Sequence, residues 1–188
     1  MTPTATDEQL MAQVMRGDAS ALAPLVERYH GPLLGYLYRL TNGNRPLAED
    51  LVQDTFVRVM RQASFQAGRP FKPWLYAIAT HLAYDHFRSA AARRTTALDD
   101  APRAEPIDPA PGPEVLAQAA SQGRQVAAAI GQLSEEYRAA LLLRYYGGAS
   151  MQEISAALRI PLGTVKSRLS VGTRRLRQLL LIDKEESR

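Results

Sequence analysis

The stretch Ser150–Leu169, SMQEISAALRIPLGTVKSRL, predicts two helices joined by a tight turn. Ser150 and Glu153 have the spacing of a capping box, which marks the start of the first helix. The Ile160-Pro161 pair then interrupts it, because proline disfavours helical backbone at the residue before it. Apolar residues lie on both sides of the interruption and can pack across it. The pattern has the form of a helix-turn-helix, whose second helix enters the major groove of DNA in proteins that use it.

The second of these helices has a face suited to nucleic acid. At about 100° per residue, with Val165 and Leu169 turned inward, the face pointing outward consists of Gly163, Ser167, Ser170, Val171 and Arg174, flanked by Thr164, Lys166, Arg168, Arg175 and Arg177. Six basic residues and no acidic residue lie between Ile154 and Ile182. One-sided positive charge favours phosphate binding. On charge alone, a solvated basic face without a partner remains the alternative.

The rest of the chain is also predicted to be helical, since no segment alternates apolar and polar residues as a strand does. In the first half, predicted helices start at a Thr6–Gln9 capping box and end near Gly17, run from Asp18 or Ser20 to Tyr29, from Pro32 to Leu40, from Pro46 onward, and from Pro73 to Ala92. A loop is predicted over Ser64–Lys72. In the second half, helices are predicted over Val115–Ile130 and from Ser134 to Gly147.

A proline-rich stretch separates the two helical halves. Residues 95–123 hold five of the twelve prolines, and the part from Asp99 to Glu114 has five acidic residues and one basic residue. Such a sequence has little to bury and cannot continue a helix. We therefore predict an all-α protein with helical domains at 1–94 and 124–188 and a flexible acidic linker at 95–123; an ordered surface loop is the alternative for the linker.

Composition excludes several classes of function. The chain has no cysteine, which rules out disulfides and thiolate sites, and its three histidines do not have the spacing of metal ligands with acidic residues. No phosphate-binding loop or nucleophile elbow is present. The N-terminus lacks the pattern of a signal peptide, and no apolar run is long enough to span a bilayer. We expect a cytoplasmic protein that is not an enzyme, has no catalytic residue, and needs no cofactor or metal.

The segment LSEEYRAALLLRYYGGASMQEISAALRIPLGTVKSRL, at 133–169, resembles the C-terminal domain of extracytoplasmic-function (ECF) sigma factors. The resemblance implies that the second helix of the motif reads the promoter element near minus 35. The residues that it assigns to this role are Gly163, Thr164, Lys166, Ser167, Arg168, Ser170, Val171, Arg174 and Arg175. The sequence departs from the family pattern at Ser170-Val171-Gly172, where an aromatic or histidine is usual, so its promoter preference can differ.

The segment PLAEDLVQDTFVRVM, at 46–60, resembles the polymerase-binding helix of the same family. Its apolar residues recur at three- and four-residue steps, which predicts an amphipathic helix with one face free for a partner. The residues that the resemblance assigns to core RNA polymerase are Glu49, Asp50, Leu51, Gln53, Asp54, Thr55 and Arg58.

The segment FQAGRPFKPWLYAIATHLAYDHFRSAAARR, at 65–94, resembles the region that reads the minus-10 element. Aromatic and basic groups can stack on an exposed base and contact phosphates. The residues assigned to this role are Phe65, Arg69, Phe71, Lys72, Trp74, Tyr76, Thr80, His81, Tyr84, Asp85 and Arg88. Some have simpler interpretations: Trp74 as a core residue, Phe71 as a hydrophobic staple, His81 as a surface residue, and Asp85 and Arg88 as an ion pair.

The resemblance implies an alternative sigma factor, which binds core RNA polymerase and promoter DNA and directs transcription initiation. It also implies control by an anti-sigma factor that masks the polymerase-binding surfaces, and a linker that threads through the polymerase cleft. A stand-alone helix-turn-helix regulator is the alternative; it predicts tight duplex binding without polymerase. An enzyme is the third hypothesis and has no supporting motif.

Overall fold

The computed structural model describes residues 5–61, 65–66, 68–94, 123 and 125–186, with side chains described up to 90 in the first half and up to 181 in the second. Within these ranges the chain is helical and contains no strand. The helices are α1 (Asp7–Met15), α2 (Leu22–Leu40), α3 (Arg45–Arg61), α4 (Phe71–Arg94), α5 (125–132), α6 (Glu135–Tyr145), α7 (Met151–Leu158) and α8 (Leu162–Glu186), with a 3-10 turn at Ala19–Ala21. The all-α prediction is confirmed. The predicted linker at 95–123, apart from residue 123, and the start of the helix predicted from Val115 lie outside the described residues.

Helix α1 caps the start of another helix, α4. The predicted capping box is present, with Thr6 Oγ1 accepting from the Gln9 backbone N–H and Gln9 Oε1 accepting from that of Thr6. Glu8 Oε1 accepts a 3.0 Å hydrogen bond from the backbone N–H of Phe71, the first residue of α4. This external cap explains why α4 begins two residues before the predicted start at Pro73, which lies in the first turn, where proline is tolerated.

Helix α2 corrects one prediction. The sequence predicts separate helices on either side of Pro32, but α2 is continuous from Leu22 to Leu40. Proline removes one backbone hydrogen bond and crowds the preceding turn. Leu25 and Leu37, which lie before and after it, are both fully buried. Tertiary packing of one apolar face therefore holds the helix together through the proline.

The N-terminal domain is built on the packing of α2, α3 and α4. Tyr36 of α2 and Tyr76 of α4 meet edge to face with ring centroids 4.9 Å apart. The hydroxyl groups of Tyr36 and Thr80 form a buried 2.6 Å hydrogen bond, and Thr80 also donates to the backbone carbonyl of Tyr76. These paired polar groups satisfy the hydrogen-bonding needs of an otherwise apolar core.

The C-terminal domain contains the predicted helix-turn-helix, α7 and α8. The Ser150–Glu153 capping box is present at the start of α7. Arg159 ends α7 in the left-handed conformation, with φ of 53°, and Ser155 Oγ donates to the Ile160 carbonyl at 2.6 Å. This bond stabilises the sharp turn that sets the direction of α8. Ser134 precedes α6 as predicted, but its side chain makes no capping hydrogen bond.

The two domains are in contact. Helix α4 packs against α7 and α6, and the C-terminal part of α2 approaches α6. One connected set of buried apolar side chains includes Leu75 and Ala83 of the first domain together with Leu142 and Ile154 of the second. The sequence did not predict this contact.

Candidate DNA-binding and partner-binding surfaces

The first half of α8 presents most of its predicted DNA-contacting residues to solvent. Gly163, Lys166, Ser167, Ser170, Arg174 and Arg175 are exposed, while Thr164, Arg168 and Val171 are half-buried. Val165 is fully buried and anchors the helix against the domain core. The outward face therefore carries the basic and hydroxyl groups that the sequence places there, in the position of a recognition helix.

Two arginines of this helix are held by α6. Arg168 Nη2 forms a 2.8 Å ion pair with Glu136 Oε2, and the guanidinium of Arg175 lies 4.7 Å from the ring centroid of Tyr137. Both are predicted DNA contacts, but the ion pair directs Arg168 along the domain surface. Lys166 and Arg174 are exposed basic residues on the outward face of the same helix, where they can reach a duplex.

Gly172 explains part of the departure from the family pattern. A Cβ atom built at this position would lie 3.1 Å from Leu141 Cδ1 and 3.3 Å from Tyr137 Cβ, both on α6. Glycine therefore lets α8 approach α6 more closely than a larger residue would allow. From the sequence alone, Gly172 would only be expected to lower the stability of its helix. Its packing role could not be predicted, because the residues of α6 that it contacts are more than thirty residues away in the sequence.

Fewer of the predicted partner-binding residues of α3 are exposed than the sequence suggested. Gln53, Asp54 and Arg58 are exposed, as is Asp50, and Glu49 is half-buried in a 2.7 Å ion pair with Arg45. The predicted partner-binding residues Leu51 and Thr55 are buried, with exposed fractions of 4% and 0%, and the Thr55 hydroxyl donates to the Leu51 carbonyl. This corrects the prediction for both residues, which pack in the core beneath the exposed face of α3.

Two apolar residues on the same helix were missed. Val57 and Met60 are apolar, yet their exposed fractions are 39% and 52%. Both lie beside the exposed polar residues of α3 and add apolar area to that face. The helical periodicity contained the signal, because both positions lie off the stripe formed by Val52, Phe56 and Val59.

The aromatic residues around the start of α4 form a cluster within the first domain. Phe65 and Phe71 are 5% and 0% exposed, and Trp74 packs on Phe65 with ring centroids 5.0 Å apart. Their burial corrects the prediction that Phe65 and Phe71 are presented to a base, and it fits the simpler interpretation of Trp74. The neighbouring Arg69 and Lys72 are exposed and can reach phosphates.

The middle of α4 carries four further predicted minus-10 residues, and none is fully exposed. Tyr76 and Thr80 are buried, and His81 and Tyr84 are half-buried. His81 lies beside the backbone of Ala156 and Ala157 in the last turn of α7, so it is not the surface residue of the simpler interpretation. Beyond them, Asp85 and Arg88 are exposed and form an ion pair, as that interpretation proposed.

Burial shifts the ionisation of groups at this contact. Desolvation, reinforced by the guanidinium of Arg159, lowers the pKa of His81, and Asp85 opposes the shift. Burial raises the pKa of Tyr76 and of Tyr84 to about 12 each, so both hydroxyls stay protonated at neutral pH. Burial also lowers the pKa of Arg138, whose guanidinium donates to the carbonyls of Ile130, Gly131 and Leu133.

Two further features bear on the class of protein. Among the described residues, no helix is both long and apolar enough to cross a membrane. The same part of the chain contains no cluster of three or more histidine, aspartate or glutamate side chains that could hold a metal ion.

Comparison with known sequences matches both domains to one family. The family model for Sigma-70 region 2 matches residues 25–93, and that for Sigma-70, region 4 matches residues 123–176. These two regions define an RNA polymerase sigma factor of the sigma-70 type.

Individual relatives narrow the class. The ECF RNA polymerase sigma factor SigE of Mycolicibacterium smegmatis is 37% identical over 87% of this chain, which spans 64% of that protein's length. The RNA polymerase sigma-H factor of Pseudomonas aeruginosa and the ECF RNA polymerase sigma factor SigW of Bacillus subtilis are each 32% identical; the alignments cover 87% and 89% of this chain and 88% and 93% of the relatives. The chain belongs to the ECF group of the sigma-70 family, which favours a sigma factor over a stand-alone regulator.

Solved structures agree with this assignment. The sigma factor RpoE of Bartonella quintana, crystallised with the anti-sigma factor NepR, superposes with a TM-score of 0.71 and 27% identity, covering 88% of this chain and 99% of that one. CnrH, solved in complex with the cytosolic domain of CnrY, gives a TM-score of 0.64 and 25% identity over 94% of this chain and 98% of that chain.

Proposed function

We propose that three separate surfaces of this chain divide the work of transcription initiation. The exposed face of α3, around Gln53, Asp54 and Arg58, binds core RNA polymerase. The outer face of α8, around Lys166 and Arg174, reads the minus-35 element. The face of α4 around Tyr76 and His81, together with Arg69 and Lys72, captures the melted minus-10 strand.

The observation that carries the proposal is the separation of the first two surfaces on one chain. A face with acidic and polar residues is exposed on α3 in the first domain, while residues 162–181 of α8 in the second domain expose basic residues and contain no acidic residue. A stand-alone regulator needs only the DNA-binding surface on α8. In a sigma factor, polymerase and the linker hold the two DNA-binding surfaces together. Once one surface has bound DNA, the other is at a high effective concentration near its own element, so the affinity for the promoter exceeds that of either surface alone.

The domain limits belong to the same proposal, with 1–94 as the polymerase-binding and minus-10 domain, 95–123 as the linker and 124–188 as the minus-35 domain. Such a protein acts in the cytoplasm, where polymerase and promoter meet, and has no catalytic step of its own. Control by an anti-sigma factor is also proposed, because the RpoE and CnrH structures are complexes with the proteins NepR and CnrY.

Charge-reversal variants test the division of labour. Asp54→Arg should weaken binding to core polymerase roughly tenfold, about 1.4 kcal/mol, because an exposed acidic residue is replaced by a cation on the docking face. Lys166→Glu should leave core binding unchanged and reduce promoter binding by the assembled holoenzyme by about 1–3 kcal/mol, the usual worth of such a contact. Core affinity is measured by fluorescence titration and promoter binding by gel shift.

The matched controls are Glu27→Arg and Arg16→Glu, which make the same charge changes at exposed positions outside these surfaces. Both should behave as the wild type in the two assays. Normal core affinity in Asp54→Arg, or normal promoter binding in Lys166→Glu, would contradict the surface assigned to that residue.

A further inference from the structure

Helix α1 lies outside the part of the chain that the family model covers, because the match to Sigma-70 region 2 begins at residue 25. The helix nevertheless packs on the first domain, since Leu10 and Val14 are buried and Met11 is fully buried. Its acidic first turn, at Asp7 and Glu8, meets the residues that begin α4. The first turn of α1 therefore lies beside part of the predicted minus-10 surface.

Glu8 connects α1 to the first residue of α4. Its Oε1 accepts a 3.0 Å hydrogen bond from the backbone N–H of Phe71. The first N–H groups of a helix have no partner within the helix, and the positive end of the helix dipole lies there. A carboxylate at this position satisfies one such group. Because Glu8 belongs to a different helix, it also fixes where α4 begins relative to α1.

Asp7 holds the first turn of α1 against α2. One carboxylate oxygen forms a 2.6 Å ion pair with Arg28 Nη1, and the other accepts a hydrogen bond from the Tyr29 hydroxyl. Burial and the neighbouring Asp7 carboxylate raise the pKa of Tyr29, so this hydroxyl stays protonated and donates. The Tyr29 ring in turn meets Phe71 edge to face, with centroids 5.4 Å apart. Tyr29 therefore contacts both α1 and the start of α4.

Phe71 joins this connection to the aromatic cluster of the first domain. Phe65 and Trp74 both pack on its ring, with centroid distances of 6.1 Å and 5.9 Å. Arg69 and Lys72, the two cations assigned to phosphates of the minus-10 strand, flank Phe71 in the sequence and are exposed. The placement of both cations therefore depends on how Phe71 is held.

We propose that Glu8 is a positioning residue for promoter opening: by capping Phe71 it fixes the start of α4, and with it the placement of Arg69 and Lys72 toward the melted minus-10 strand. This inference rests on the proposed function of that surface. Glu8 acts through the backbone of Phe71 and not by touching DNA. The hydrogen bond carries this role, because the negative charge of Glu8 on its own would repel the phosphates.

Two substitutions separate the hydrogen bond from the charge. Glu8→Gln keeps an acceptor oxygen at the same place along the side chain and removes the charge, whereas Glu8→Ala removes both. Glu27→Ala, which deletes a carboxylate at an exposed position of α2, is the matched control. Each variant is assembled with core polymerase. Run-off transcript yield is then measured on a duplex promoter that the wild type transcribes, and on the same promoter with its minus-10 element already unpaired by mismatches in the template strand.

Glu8→Ala should lower the transcript yield from the duplex promoter about fivefold, which corresponds to the loss of one hydrogen bond of about 1 kcal/mol. Its yield from the unpaired promoter should fall by less than about twofold, because capture of the strand no longer has to offset the cost of unpairing it. Glu8→Gln and Glu27→Ala should match the wild type on both templates. All three variants should bind core polymerase normally.

A wild-type yield from Glu8→Ala on the duplex promoter would overturn the proposal. Equal losses for Glu8→Ala and Glu8→Gln, or gains for both, would overturn it too, because the charge and not the hydrogen bond would then matter. An equal loss of Glu8→Ala on both templates would show a merely structural role. A wild type that binds core polymerase but transcribes neither template would contradict the proposed function itself, and this inference with it.

Trp74, the single tryptophan of the chain, reports on the same connection without any DNA or polymerase. Because it packs on Phe65 and Phe71, loosening the start of α4 should open its ring to solvent. Quenching of its fluorescence by acrylamide should therefore increase in Glu8→Ala and stay at the wild-type level in Glu8→Gln and Glu27→Ala. Identical quenching in Glu8→Ala and the wild type would show that Glu8 does not hold this segment, and would overturn the proposal.

Discussion

His81 is a titratable side chain that lies between the two domains. It belongs to α4, lies beside the backbone of Ala156 and Ala157 in α7, and has Arg159 and Asp85 as its charged neighbours. Burial and the Arg159 cation both disfavour a proton on the imidazole, and only Asp85 among the charged groups favours it. Contact between the domains therefore favours the neutral form of His81.

This environment predicts that the domain contact weakens in mild acid. The pKa of His81 is lowered from its ordinary value of 6.5 while the domains are in contact, so His81 binds a proton more tightly when the domains are apart. The stabilisation is complete above that ordinary value and is lost as the pH falls through the lowered pKa. Energy transfer between dyes attached at Glu27→Cys on α2 and Gln178→Cys on α8, both exposed positions, should decrease between about pH 6.5 and the onset of acid unfolding.

The control for this titration is His81→Gln in the same labelled protein. The variant keeps a polar side chain of similar length but has no proton to gain, so its energy transfer should stay level over the same range. Superimposable pH curves for the variant and the wild type would show that another group causes the change.

Single residues also show what sequence can predict at this scale. Periodicity alone separated the buried side of α3 from its exposed side, and Asp54 and Arg58 are exposed as predicted. The family resemblance was misleading at Leu51 and Thr55, because the motif marks the whole segment without saying which side chains face inward. The prediction for Phe65 and Phe71 was wrong for a similar reason. An aromatic residue beside a loop can either stack on a base or fill a core, and the local sequence looks the same in both cases.

At the scale of elements, the close approach of α8 to α6 depends on Gly172. Gly172→Leu should destabilise the protein by about 1–3 kcal/mol, the usual cost of overpacking, because Leu141 and Tyr137 occupy the space that the side chain needs. Gly163→Leu on the same helix has nothing within 4 Å of its Cβ. It should be neutral or stabilising by up to about 1 kcal/mol through helix propensity.

Thermal unfolding of the two variants, followed by circular dichroism, measures this difference. Equal stability of Gly172→Leu and Gly163→Leu would mean that α6 and α8 are not in contact at this position. The comparison is restricted to stability, since Gly163 also belongs to the predicted DNA-binding face.

Helix boundaries were predictable where their signals are local. The capping boxes at Thr6 and Ser150 and the turn at Ile160-Pro161 are complete within a few residues, and the structure contains all three. The start of α4 depends on Glu8, more than sixty residues away, and was predicted two residues late. Pro32 was interpreted as a helix start because its local effect is disruptive, and only the packing on both sides of it opposes that effect.

At the scale of the whole molecule, the contact between domains could not be predicted. The pairs that form it, such as Tyr76 with Gly147, lie about seventy residues apart in the sequence, and no local signal connects them. The sequence does contain one indirect signal: α4 has small or apolar residues on more than one face, including the adjacent Ile78 and Ala79, which are both buried. A helix of this kind needs packing partners on more than one side.

Run-off transcription tests the central claim, that this chain is an initiation factor, most directly. Purified bacterial core polymerase is combined with the protein and a fragmented genomic library from its own organism. We predict discrete transcripts that appear only when the protein is present, with start sites preceded by shared minus-10 and minus-35 elements. The absence of such transcripts, together with no measurable binding to core polymerase, would contradict the account.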